Sequence, residues 1–123
     1  INPALARGQL TGGFYRGAGM ALLEDTAYDP QTGELANRAM LTDYKMLGAS
    51  DVPEPERFQT FFASTYEPTG PMGAKGIGEA ALNPVPAAVA AAIQNATGVW
   101  FTKLPILPED IVAALRAREA AHA

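Results

Sequence analysis

Apolar side chains recur at helical spacing over residues 10–24, with Phe14, Ala18, Met20, Ala21, Leu22 and Leu23 forming one face. Gly12, Gly13, Gly17 and Gly19 interrupt it. Each glycine inside a helix costs about 1 kcal/mol relative to alanine, so the pattern predicts a helix packed closely against another backbone or a ligand. Shorter pieces follow. Residues 26–28 and 35–41 flank the Pro-containing turn Asp29-Pro30-Gln31-Thr32-Gly33 and predict a hairpin. Residues 58–66 alternate and are rich in aromatic and β-branched types, which predicts a strand buried on both faces with Phe58, Phe61, Phe62 and Tyr66 in the core. The alanine-rich stretch 84–96 predicts a helix with Asn83 as N-cap, Pro84 as its first residue and Gly98 near its stop. A short strand over 99–102, an extended connector over 104–108 and a last helix opening at Pro108-Glu109-Asp110 and running to about Arg118 complete the chain. Together these elements predict an α/β (α+β) fold, a single domain over 1–123 with two or three helices packed on a short mixed sheet.

Composition narrows the classes. At 123 residues and 48% hydrophobic, the chain is long enough for one domain with a core. Ten prolines and twelve glycines are scattered between apolar segments, as in a loop-rich domain rather than a disordered one. The prolines of Asp51-Val52-Pro53-Glu54-Pro55-Glu56 predict a surface crossing. A net charge of −4 with dispersed Lys and Arg provides no basic stripe for nucleic acid and no polybasic patch for a membrane, so neither partner is expected. With no cysteine, disulfides, thiolate metal sites and cysteine-ligated iron–sulfur clusters are excluded within this chain. The single histidine, His122, reads as a residue of the C-terminal end, which excludes a Ser-His pair and a His-rich metal site. No apolar run approaches 18 residues and no targeting segment is visible, so the expected compartment is the cytoplasm, or the periplasm if an upstream signal precedes Ile1. Starting at Ile1 rather than Met, the chain reads as a processed or excised piece of something longer.

The run from Gly70 to Glu79 carries the candidate chemistry, because four glycines in nine residues lead into a single carboxylate. Glycine lets backbone amides approach a ligand closely, and a carboxylate beside that ligand is placed to act as a general base. The same glycines also suit a flexible surface turn. A phosphate loop is a further reading, yet Gly-x-x-x-x-Gly-Lys-Ser/Thr is missing and the spacing of Gly73, Gly76 and Gly78 reverses the dinucleotide fingerprint. Pro68 and Pro71 are expected to keep this loop extended. Taken alone, Gln9 suits a helix-entry residue bonding local backbone, and Lys75 a solvated lysine.

Read in order, the blocks resemble one family. They are Asn2-Pro3, Gly8-Gln9, Gly12-Gly13, Gly17-Ala18-Gly19, Asp43-Tyr44, Asp51-Val52-Pro53, the whole run Gly70 to Glu79, Asn95-Ala96 with Gly98, and Leu104-Pro105-Ile106-Leu107-Pro108-Glu109. Their order over more than 100 residues resembles the C-terminal part of the molybdenum-binding subunit of the molybdenum hydroxylases, the xanthine dehydrogenase and aldehyde oxidoreductase family.

The resemblance implies oxidative hydroxylation of an aldehyde or N-heteroaromatic carbon with water as the oxygen source. It implies Glu79 as the catalytic base, and Gln9, Lys75, Gly76, Ile77 and Gly78 beside a molybdenum–pterin cofactor. No protein metal ligand is implied, since the pterin dithiolene holds the metal. Iron–sulfur clusters and FAD are expected on other domains or subunits of an oligomer, and an upstream part of the same subunit completes the site, leaving the isolated chain inactive. Arg16 departs from the family pattern, which often has Gln there. The alternatives kept beside this reading are a phosphate- or nucleotide-binding module and a non-catalytic scaffold.

Overall fold

A computed structural model describes residues 1–36 and 40–122. Its helices are α1 (Pro3–Leu22), α2 (Val85–Thr97) and α3 (Pro108–His122), with five 3₁₀ turns between α1 and α2. Helix α1 starts at Pro3 rather than near Leu10 because Asn2 caps it: the Asn2 carboxamide oxygen accepts from the Leu5 amide at 3.0 Å, and Pro3 has no amide hydrogen to leave unpaired. Helix α2 stops as predicted, with Gly98 left-handed at φ 72° and its amide donating to the Gln94 carbonyl. Its start is corrected: Pro84 flanks it, without a side-chain cap bond, in place of Asn83. In front of α3, the Leu107 amide donates to the Asp110 carboxylate at 3.2 Å.

Helix α1 meets its neighbours through small residues. Helix α1 packs on α2 and on the 3₁₀ turn Glu79–Ala81. A Cβ on Gly13 would lie 2.7 Å from the Ala81 Cβ, and one on Gly17 would lie 2.5 Å from the Val85 Cβ, so both glycines are needed for the helix to come this close. Ala18, Ala21, Val85 and Ile106 form the buried apolar core. The connector after α2 is pinned beside it, with the Ile106 amide donating to the Ala21 carbonyl at 2.7 Å. Arg118 of α3 donates to the Thr97 carbonyl at the end of α2.

The predicted mixed sheet does not form. Among the described residues, β pairing is limited to one antiparallel bridge between Tyr28 and Leu35. Residues 37–39 of the expected second hairpin strand lie outside the described residues. The segment 58–66 is unpaired, without regular structure, and runs along α1. There Phe58 packs edge-on to Phe14 and stacks with Tyr15, at centroid distances of 5.1 and 6.1 Å. Arg7 adds a second tie, lying 5.6 Å from the Phe62 ring and donating to Thr60 Oγ1 at 3.3 Å. Phe58 is half-buried, whereas Phe61, Phe62 and Tyr66 are 81%, 44% and 73% exposed, so the core assignment fails for these three. Residues 99–102 are likewise not a strand.

Candidate cofactor cleft and carboxylate

The glycine run is folded on itself rather than extended. Amides of Gly70, Gly73 and Ala74 donate to the carbonyls of Glu67, Gly70 and Pro71, winding 70–74 into a tight turn. Gly73 sits at φ 77° with no room for a Cβ, which would run into the Tyr66 ring. Its neighbour Met72 takes φ 56°, an unfavourable value for a side-chain-bearing residue. In this way the turn presents Met72 outward and releases residues 74–78 as an open strip.

A cleft of about 600 Å³ lies between this strip, the N-terminal end of α1 and the segment 62–65. Gln9, Lys75 and Ile77 all line it, with Asn2, Phe62 and Met72 among the other contributors. The structure therefore gathers three of the sequence-predicted cofactor residues at one place. Gly76 and Gly78 belong to the same strip without lining the cleft. A Cβ at Gly76 would meet nothing within 4 Å and its φ is not left-handed, so neither packing nor backbone geometry within the described residues accounts for glycine there. The start of α1 carries the positive end of the helix dipole toward the cleft, and Lys75 adds a full charge, which favours anionic groups.

Glu79 stands beyond the cleft, at the start of the turn Glu79–Ala81. One of its carboxylate oxygens, Oε1, accepts from Arg16 Nη1 at 3.0 Å. Arg16 follows Gln9 by seven residues on α1, a rise of about 10 Å and a rotation within roughly 20° of the same stripe. One face of one helix thus serves both the cleft and the carboxylate. The Arg16–Glu79 pair is absent from the sequence reading, and no periodicity links residues 63 apart in the chain. Beyond Arg16, Tyr44 donates its hydroxyl to Glu24. That bond pushes the Tyr44 hydroxyl above its ordinary value, and the Arg16 charge partly offsets the effect. Among the described residues no three His, Cys, Asp or Glu side chains cluster to hold a metal, and no helix is long and apolar enough to cross a membrane.

Comparison with known proteins places the chain in a family. The family described as molybdopterin cofactor-binding domain matches residues 1–53. The xanthine dehydrogenase molybdenum-binding subunit of Escherichia coli O157:H7 is 39% identical over 111 residues, which cover 90% of this chain and 14% of that protein. The aldehyde oxidoreductase molybdenum-binding subunit PaoC of Escherichia coli K12 is 37% identical over 112 residues, covering 91% and 15%. The crystal structure of quinoline 2-oxidoreductase from Pseudomonas putida 86 superimposes with a TM-score of 0.81 at 35% identity, over 94% of this chain and 14% of that one. This chain spans about one seventh of the length of such relatives. It belongs to the molybdenum hydroxylase family of xanthine dehydrogenase and aldehyde oxidoreductase, as a stretch of the molybdenum-binding subunit.

Proposed function

We propose that this chain forms one wall of a molybdenum–pterin site and supplies the proton acceptor for a hydroxylation at that site, with Glu79 as general base. The observation that carries the reading is the convergence of Gln9, Lys75 and Ile77 on one cleft while the same face of α1 engages Glu79. The residues suit such a group. Gln9 offers an amide that can both donate and accept, Lys75 offers positive charge to anionic substituents, and Gly76 leaves space for close approach.

The bound cofactor would supply the metal centre that accepts the electrons leaving the substrate. Glu79, in its ionised form, takes the proton of the water-derived hydroxyl as that oxygen bonds to the electron-poor substrate carbon, an aldehyde carbon or one beside a ring nitrogen. Gln9 and Lys75 hold the cofactor in register with that carboxylate. The opposite wall would come from another part of the same subunit, and iron–sulfur and flavin groups on other domains or subunits would take up the electrons. Residues 1–123 act as one unit in this assembly and do not turn over substrate alone.

Replacing Glu79 by Gln preserves shape and removes the base. In the intact enzyme, turnover is expected to fall about 100-fold or more at unchanged metal content. A variant that retains over about a tenth of the wild-type rate would rule out Glu79 as the base, since a positioned proton acceptor is worth at least that much.

A further inference from the structure

Glu79 is held at one oxygen and free at the other. We propose that Arg16 is the positioning residue for the Glu79 carboxylate, an inference that rests on the general-base reading of Glu79. The Arg16 guanidinium donates to Oε1 at 3.0 Å, and among the described residues Oε2 has no hydrogen-bond partner. A base needs this division: one oxygen anchored to fix the orientation, the other open to receive a proton.

The backbone makes the aim dependable. Gly13 brings α1 into contact with Ala81, so Arg16, one turn along the helix, emerges beside Glu79, two residues before Ala81. Among the described residues no other cation is paired with Glu79. Helix α2 carries no charged side chain, Arg7 is occupied by Thr60 and Phe62, and Lys75 lines the cleft. The remaining titratable side chain of α1, Tyr15, packs on Phe58. The Arg16 charge also offsets part of the rise that Glu24 causes at the Tyr44 hydroxyl. Arginine is suited to the task because its planar fork fixes direction as well as charge, whereas a lysine ammonium fixes charge alone.

The test compares Arg16→Met, Arg16→Gln and Arg16→Lys in the complete, cofactor-loaded enzyme. Misplacing a reacting group by about 1 Å can cost on the order of 100-fold, so Arg16→Met and Arg16→Gln are expected to lower kcat by about 10- to 100-fold while leaving KM within about twofold. Arg16→Lys is expected to recover part of the loss. Crystal structures of the same variants supply a readout independent of rate. The Glu79 carboxylate should leave its wild-type position or occupy more than one in Arg16→Met and Arg16→Gln. An unmoved carboxylate, or unchanged kcat in both variants, would overturn the proposal. If the carboxylate moves in these variants but Glu79→Gln still turns over, the positioning contact stands and the base assignment falls.

Discussion

Tyr44 and Glu24 form a bond whose strength depends on the hydroxyl keeping its proton. The adjacent carboxylate raises the Tyr44 value above that of a free tyrosine, about 10, so folding favours the neutral form. The stabilisation is fully present below about pH 10 and is lost as pH rises through the elevated folded value. Absorbance titration of the four tyrosines should therefore show one late ionisation that disappears in Tyr44→Phe. A wild-type curve that matches the variant apart from amplitude would contradict this. Asp29 shows the opposite sign. Amides of Thr32 and Gln31 donate to it and lower its value, so its contribution is present above about pH 4 and lost on acidification. At this scale single residues were partly legible: Glu79 stands out because glycines isolate it, but its partner lies 63 positions away and leaves no local trace.

The start of α3 and the stop of α2 were legible, since Pro108 and Gly98 mark ends through backbone rules that need no tertiary partner, whereas the starts of α1 and α2 were not. Strands were the least legible. Alternation in 58–66 suits a strand, but pairing requires a neighbouring strand, and here the neighbour is the Arg7, Phe14 and Tyr15 side of α1. The glycines of α1 divide by what they face. Gly17→Ala must push against Val85 and is expected to destabilise by about 1–3 kcal/mol, whereas Gly12→Ala enters open space and is expected to be neutral or to stabilise by up to about 1 kcal/mol. Thermal unfolding of the two variants decides the point. Equal shifts would mean that the seam between α1 and α2 is looser than described.

Across the whole molecule, the buried apolar set is small, while Leu5, Phe61, Met72 and Trp100 are 70%, 81%, 88% and 62% exposed. Apolar surface on this scale marks an interaction face. Placed beside relatives about seven times longer, it fits a unit finished by contact with the rest of its subunit. Prepared alone, the chain should bind a hydrophobic dye such as ANS and unfold with weak cooperativity. Sharp two-state unfolding without dye binding would argue that residues 1–123 are self-sufficient. Overall hydrophobic content predicted a core but could not say how much of it is covered from within.

The contact of Gly13 with Ala81 has a consequence for how such a site changes over time. The approach of the α1 backbone to that of the Glu79 turn is set by a glycine and an alanine, neither of which has a side-chain rotamer to swap. On the proposed reading of the cleft, diversification of the shapes it accepts falls to adaptable positions on its rim, such as Met72 and Phe62. The helix seam acts as the invariant ruler against which that diversification is measured.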